Sequence, residues 1–235
     1  VSSDLQFESP YSNFSLNFDG TTNYIDCTNN NIFDLNNAFS ISTWVKYTST
    51  SAMVVLSKRE TTKIGLLIEL GSGKPFTAIR DSSSNIAITN TYSGTYNDGN
   101  WHHITATFDR TTNELKLYVD GVLKETANTS SVGDISPITS NLIIGRRSDT
   151  SSSYFAGNVD ETAIFNKALN QAEISQIYNN GYAANLTSLS PVSWWRLGED
   201  AYFVGNDITI PNQISGAPNG TGAGTQTSIL VADAP

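Results

Sequence analysis

The chain is 235 residues long, carries a formal net charge of −9, and is 38% hydrophobic but only 15% charged. A chain of this length forms one large domain or two small ones with a full hydrophobic core. Its acidic balance argues against a nucleic-acid partner, whose phosphates require clustered Lys and Arg. The single cysteine, Cys27, excludes an internal disulfide, and no apolar run is long enough to insert into a membrane. We expect the N-terminus, which lacks a signal-peptide pattern, to be a mature or trimmed end.

Strand patterns follow one another from the N-terminus. Phe14, Leu16 and Phe18 alternate with polar residues before a turn at Asp19-Gly20. Similar apolar runs recur at short spacing, as in "FSISTWVKYT", "AMVVLSK", "IGLLIEL", "PFTAIRD", "NIAITNTYS", "WHHITATFD", "NLIIGRR" and "NVDETAIFN". Residues 113–127 read as a hairpin with a tight Asp120-Gly121 turn. About a dozen strands joined by Gly, Asn and Asp turns indicate an all-β fold, a two-sheet antiparallel jelly-roll sandwich.

One helix pattern follows the last of these strands. Asn170 is a suitable N-cap, and Glu173 three residues later completes a capping box. Ile174, Ile177 and Tyr178 form one apolar stripe, and Gly181 is a natural stop. We expect a short helix that packs as a strap on the sandwich.

The composition changes after Gly181. Residues 182–235 contain one strand-like run around Trp194 and Trp195, followed by a stretch rich in Gly, Pro, Asn and Thr. We expect no core of its own here. Because the two tryptophans are adjacent, one should be buried and the other exposed or at an interface.

The ordered motifs "LNFDGTTNYID", "FSISTWVK", "GNWHHITATFD", "LKLYVDGVLK", "LIIGRR" and "GNVDETAIFNKALNQAEISQIYNNG" resemble the laminin-G-like, concanavalin-A-like jelly roll, in its pentraxin-related type. The resemblance implies a jelly-roll domain over residues 1–181. Residues 182–235 are then an extension that packs on this domain or on a neighbouring subunit. The tail, with "VSWWRLGED" and "ILVADAP", resembles segments of structural proteins of marine bacteriophages.

The acidic residues do not form a catalytic pattern. Glucanases of this fold carry carboxylates in an E-x-D-x-x-E spacing along one strand, and no strand here shows it. Asp160 and Glu161 are adjacent, so on a regular strand their side chains point to opposite faces, and we expect Glu161 to be solvated or paired at the surface. The adjacent His102 and His103 diverge for the same reason. The chain is therefore predicted to be non-enzymatic.

A structural Ca²⁺ ion is the cofactor that the resemblance implies. In related jelly rolls a calcium site ties the first strand's turn to the last strand, and the matching residues here are Asp19 and Asp160, with Glu8 as a further carboxylate. The alternative is that Asp19 shapes its turn and Asp160 caps backbone amides. The two-calcium site of pentraxins is expected to be absent, because "RRSDTSSS" and "KRETTK" replace its acidic cluster.

Carbohydrate binding is the usual function of such a fold, and it needs aromatic platforms with polar partners. The loop residues suited to this are Tyr92, Tyr96, Arg147 and Tyr154, although a loop Tyr is also often a packed anchor. We predict a virion or extracellular structural and adhesion module, such as a phage surface protein, whose partners are other assembly subunits and possible cell-surface glycans. The alternative is a secreted bacterial carbohydrate-binding module, and a third reading is a glycoside hydrolase.

Overall fold

The computed structural model of the chain describes residues 12–29, 37–222 and 229–235, and Glu8 lies outside them. These residues form short strands and one α-helix, α1 (Gln171–Tyr178). The strands are β1 (Ser15–Asp19), β2 (Ile25–Asp26), β3 (Ala38–Lys46), β4 (Met53–Arg59), β5 (Ile64–Gly71), β6 (Lys74–Phe76), β7 (Ala78–Arg80), β8 (Ile86–Ile88), β9 (Trp101–Asp109), β10 (Glu114–Val119), β11 (Val122–Asn128), β12 (Ile143–Ile144), β13 (Ala156–Phe165), β14 (Ser193–Trp195), β15 (Leu197–Asp200), β16 (Tyr202–Val204), β17 (Asp207–Ile210), β18 (Gly220–Gly222) and β19 (Leu230–Val231).

The strands form two antiparallel sheets, which confirms the predicted all-β sandwich. Sheet 1 has the order β11-β10-β9-β3-β13-β1-β19, and β14 also pairs with β13. Sheet 2 has the order β16-β17-β18-β2-β12-β4-β5-β7-β8, and β6 also pairs with β5. Several neighbours in both sheets come from distant parts of the chain, such as β1 with β13 and β2 with β12, so the sandwich closes only when long-range pairings have formed.

The main hydrophobic core lies between the two sheets. Strand β3 shows how sheet 1 contributes to it, since Phe39, Ile41 and Val45 belong to this core. The alternate side chains of β3 turn to the opposite face, where Trp44 stacks on Tyr178 of α1. Both faces of β3 are therefore buried, which explains why the strand is less clearly amphipathic than an exposed one.

The local motifs read from the sequence are present. The β10–β11 hairpin turns at Asp120 and Gly121, both with positive φ. Helix α1 has Asn170 as N-cap with a complete capping box to Glu173, and it buries Ile174 and Ile177. In the described part of the chain, no helix is long and apolar enough to cross a membrane.

The C-terminal residues return to the sandwich and extend both sheets. Strand β14 pairs with β13, β18 with β2, and β19 with β1. The expectation that only one of the two tryptophans is buried is wrong: Trp195 enters the main core and Trp194 the smaller core under α1. Their side chains alternate across β14, and sheet 1 is covered on both sides at this strand.

Candidate functional site

Asp160 and Glu161 lie at a β-bulge in β13, where Glu161 and Thr162 face the single residue Thr43 of β3. The register with β3 shifts between Asp160 and Ala163, and Glu161 has a φ of 46°. Side-chain alternation fails at such a bulge. Both residues are buried, and carboxylate oxygens of Asp160, Glu161 and Glu199 lie within 4.8 Å of one another. The predictions that the two side chains diverge and that Glu161 is solvated or paired at the surface are therefore wrong, because Glu161 is paired in a buried position.

The Glu161 carboxylate is held by two residues of the C-terminal extension. Trp194 Nε1 donates a hydrogen bond of 2.6 Å to Glu161 Oε2, and Arg196 Nε donates one of 3.0 Å to Glu161 Oε1. Arg196 Nη2 is also 4.0 Å from Glu199 Oε2. A single guanidinium group thus lies between the buried carboxylate of Glu161 and the partly buried carboxylate of Glu199.

Asp160 and Glu199 contact the N-terminal segment that precedes β1. Ser12 Oγ lies 2.7 Å from Asp160 Oδ2 and 2.9 Å from Glu199 Oε2. Glu199 Oε1 accepts hydrogen bonds from the backbone amides of Asn13 and Phe14. The three carboxylates, which we call the acidic cluster (Asp160, Glu161 and Glu199), therefore join three separate segments of the chain.

The acidic cluster is rich in negative charge for a buried site. Burial, reinforced by the neighbouring Glu161, raises the pKa of Asp160 well above its usual range. Burial also raises the pKa of Glu161 to about 7, although Arg196 opposes this shift. With all groups ionised, three carboxylates face one guanidinium group, so a divalent cation would balance the charge. Carboxylate oxygens are the ligands that hard cations prefer, and the cluster can hold a metal ion.

Asp19 lies apart from the acidic cluster. Asp19 of β1 pairs with Ala156 of β13. Leu16 of β1 pairs with Val159, the residue directly before Asp160. Four residues of strand separate the two positions, a distance of roughly 13 Å. The structure therefore does not bring Asp19 and Asp160 together, and Glu161 and Glu199 are the carboxylates beside Asp160.

The Asp19 carboxylate is occupied within its own turn. Oδ1 accepts hydrogen bonds of 2.8 Å from the amides of Thr21 and Thr22, and Oδ2 accepts one of 2.6 Å from Thr22 Oγ1. Slight burial acts in the opposite direction, but these hydrogen bonds lower the pKa of Asp19. This arrangement corresponds to the alternative in which Asp19 shapes the turn.

Tyr92 and Tyr96 lie in the connection between β8 and β9, and both pack against the main core. The Tyr92 hydroxyl donates to the Pro75 carbonyl, and Lys74 Nζ lies 4.9 Å from the centre of its ring. The Tyr96 ring meets His102 edge-on, with 5.1 Å between ring centres. Both rings are half-buried anchors of the loop, and their role as sugar platforms stays a prediction.

Arg147 and Tyr154 lie in the connection between β12 and β13. Tyr154 is half-buried. Arg147 Nε and Nη2 donate to the two oxygens of Asp149 at 3.0 and 2.8 Å. Asp149 Oδ2 is also 3.2 Å from Arg59 Nε, so one carboxylate lies between two arginines.

This charged group marks the outer face of sheet 2, the side turned away from sheet 1. A small apolar cluster, separate from the main core, occupies this face and contains Val54, Ile64 and Leu67. Residues opposite each other in register share a face of a sheet. Glu69 pairs with Val54, and both Arg59 and Arg80 lie in register with Ile64. The outer face of sheet 2 therefore carries both apolar and charged side chains.

The adjacent histidines occupy different environments. His102 contacts Asp120 Oδ2 at 2.8 Å and Asp98 Oδ1 at 3.2 Å. His103 is fully buried, with Nε2 2.8 Å from Ser42 Oγ. As expected from the sequence, the two side chains diverge into separate surroundings.

Sequence reasoning missed Glu199, Arg196, Arg59 and Arg80. The first two lie in the extension, whose sequence does not show which strand of the domain it packs against. The available signal was an Arg directly after "WW", because a guanidinium group in an apolar context needs a carboxylate partner. Arg59 and Arg80 belong to different strands, and only the register shows that they share a face.

One protein-family model, described as the concanavalin A-like lectin/glucanases superfamily, matches residues 19–175, more than half of the chain. The chain belongs to this superfamily. The matched residues span β13 and the outer face of sheet 2 but not the extension that supplies Arg196 and Glu199. No curated protein sequence matches the chain.

Several solved structures share the superfamily's sandwich with this chain. A Bacteroides ovatus protein, provisionally described as carbohydrate-binding, superposes with a TM-score of 0.67 at 16% identity over 90% of this chain and 58% of that one. The native heptameric SAP-like pentraxin of Limulus polyphemus gives 0.53 at 13% identity over 71% and 82%. The binding domain of botulinum neurotoxin serotype D gives 0.56 at 16% identity over 90% and 56%.

At these identities the likeness shows the fold alone. The chain spans a little over half of the Bacteroides ovatus protein and of the neurotoxin domain. The pentraxin-related resemblance is confirmed as a likeness of fold. The Bacteroides ovatus protein and the neurotoxin domain are described as binding proteins or domains, and a non-enzymatic binding module is consistent with that description.

Proposed function

We propose that the chain is a non-enzymatic carbohydrate-binding module whose ligand surface is the outer face of sheet 2. The observation that carries this proposal is the row of charged side chains across β4, β5 and β7 beside apolar residues on one face of the sheet. Saccharides are bound by planar polar groups that pair with hydroxyls and by apolar surfaces that cover the ring. Arg59, Glu69, Arg80 and Arg147 supply the polar groups.

A hydrolytic function is disfavoured by the location of the carboxylates. A glycosidase must place two of them on either side of an exposed glycosidic bond. Asp160 and Glu161 are 0% and 3% exposed, so a polysaccharide cannot reach them. Their role in this proposal is structural.

A glycan array tests the proposed function directly. We expect the wild-type protein to give specific hits that Arg147→Gln weakens, since this change removes a polar group from the outer face. Lys167→Gln serves as a matched control, because Lys167 is a partly exposed cation that pairs with Glu173 at the start of α1. Absence of any specific hit, or turnover of a polysaccharide, would contradict the proposal.

A role in a virion or other surface assembly, with further subunits as partners, stays a prediction, as does a virion or extracellular location. An assembly role would be favoured by a tail that reaches out to another subunit. Strands β14, β18 and β19 instead pair with strands of the same chain. This pairing favours the self-contained glycan-binding module.

We also propose that the acidic cluster holds a structural Ca²⁺ ion. Asp160, Glu161 and Glu199 would supply carboxylate oxygens, and Ser12 Oγ lies beside two of them. The ion would compensate the excess negative charge and fasten the segment before β1 and strand β15 to β13. No chemical step depends on it.

A further inference from the structure

One row of side chains crosses the outer face of sheet 2 from β4 to its edge strand β8. Arg59 and Arg80 both lie in register with Ile64, and Ile86 lies in register with Arg80. Adjacent strands are about 4.8 Å apart, so the two arginine backbones are roughly 10 Å apart with Ile64 between them. Ile86 is 48% exposed, whereas Ile64 is buried.

The guanidinium groups in this row have unused donors. Arg59 Nε is 3.2 Å from Asp149 Oδ2 but is not aligned as a hydrogen bond, and its Nη atoms bond to none of the described residues. Arg80 Nη2 donates to the Thr61 carbonyl, while its Nε is buried without a partner. Buried donors are normally satisfied, so the unpaired ones here show that the row has spare hydrogen-bonding capacity.

Asp149 satisfies Arg59 only as an ion-pair partner, 3.2 Å from its Nε. Arg147 already occupies both of its oxygens in a two-point contact. Glu69, the other carboxylate of the group, is half-buried, and burial raises its pKa although the surrounding arginines oppose the shift. Three guanidinium groups against two carboxylates leave this patch positive, in a chain whose net charge is −9.

The geometry points to an anionic saccharide as the ligand of this face, with its carboxylate or sulfate group between Arg59 and Arg80 and its ring against Ile86. This inference rests on the proposed carbohydrate-binding function. Arginine donors match the oxygens of such groups in two-point contacts, and a low-dielectric floor strengthens the attraction. Arg147, held by Asp149, contributes positive charge beside the contact.

Three polymers with the same backbone provide the test: dextran, carboxymethyl dextran and dextran sulfate, each immobilised and probed with the full chain. We expect binding to one or both charged polymers and none to dextran, and the two charged arms distinguish carboxylate from sulfate. Loss of one charged contact costs roughly tenfold or more in affinity. Arg80→Gln should therefore weaken binding by that factor, and Lys167→Gln should leave it unchanged.

The outcomes separate this inference from the proposed function. Neutral glycans that bind in place of the charged polymers would overturn the anionic ligand and leave the carbohydrate-binding function standing. Equal weakening by Arg80→Gln and Lys167→Gln would overturn the site, since only the overall charge would matter. Binding to no glycan at all would overturn both. Melting curves of each variant show whether a loss of binding reflects a loss of fold.

Discussion

The carboxylates of Asp160 and Glu161, neighbours in the chain, belong to one buried cluster because Glu161 adopts a left-handed backbone at a bulge. A non-glycine residue in this conformation is strained, and such strain persists only where the surroundings enforce it. Trp194 and Arg196 do so by holding both oxygens of Glu161. The extension after α1 therefore stabilises the backbone geometry of β13.

Arg196→Met should strongly destabilise the fold, because it leaves the Glu161 carboxylate buried without its cation. Breaking such a pair costs about 3–5 kcal/mol in the free energy of unfolding. Burial raises the pKa of Glu161 and Arg196 opposes this shift, so removal of Arg196 should raise that pKa further, and the cost should grow with pH as the unpaired carboxylate is forced to ionise. Urea unfolding measures this. The control Lys167→Met, at an ion pair whose Lys side chain is 43% exposed, should change stability by less than about 0.5 kcal/mol. Similar losses in both variants would contradict the role of Arg196.

Calcium should raise the melting temperature of the protein, and chelation should reverse the effect. A ligand present at a hundredfold excess over its dissociation constant stabilises by about 2.7 kcal/mol. Asp160→Asn or Glu199→Gln should abolish the response. Asp19→Asn should retain the response to calcium, because the Asp19 carboxylate is hydrogen-bonded within its own turn. A response that depends on Asp19, or no response to calcium in the wild type, would argue against the acidic cluster as the calcium site.

The two histidines should affect stability with opposite dependence on pH. Burial lowers the pKa of His103 to about 4. The contribution of neutral His103 to the free energy of unfolding is complete above its pKa in the unfolded chain, about 6.5. It is lost as the pH falls toward its pKa in the folded protein. Burial also opposes protonation of His102, but Asp120 and Asp98 outweigh it and raise its pKa. Stability from His102 is thus complete below about pH 6.5 and is lost as pH rises through the raised folded pKa.

Nuclear magnetic resonance titration of the imidazole signals checks both shifts directly. The signal of His102 should titrate above that of His103, and Asp98→Asn should lower the former with little effect on the latter. Stability curves of His102→Gln and His103→Gln should differ from the wild type with opposite slopes. Two histidines that titrate together near the ordinary value would refute this assignment.

A chain shortened to end at Gly181 should not unfold cooperatively. The main core would lose Trp195, Leu197, Ile208, Ile210 and Ile229, which all come from the extension. Removal of one large buried side chain already costs about 3–5 kcal/mol, close to the whole stability of many domains. Circular dichroism during thermal unfolding measures the effect.

A chain that ends at Val231 is the control for this truncation. It loses Asp233, whose contacts are the partly exposed Lys46 and the Trp101 indole. It should keep a cooperative transition near that of the full chain. A stable fold for residues 1–181 alone would show that the extension is an independent addition.

Short-range patterns in the sequence were sufficient to predict much of the fold. Alternation along β1 and β3, the Asp120-Gly121 turn and the Asn170–Glu173 capping box depend on residues within one turn or one strand of each other. Their energetics are local, so they can be read without a partner. The all-β sandwich follows from their repetition.

The candidate sites required the tertiary structure. Whether Glu161 points inward depends on a bulge, and a bulge is visible only when the pairing of β13 with β3 is known. Glu199 lies beside Asp160 although it comes from the C-terminal part of the chain. Arg59 and Arg80 share a face of sheet 2 because both lie in register with Ile64 of β5. The sequence by itself determined which segments become strands and helix. Only the packed sheets decided which charges meet, because register and burial are set by contacts between segments far apart in the chain.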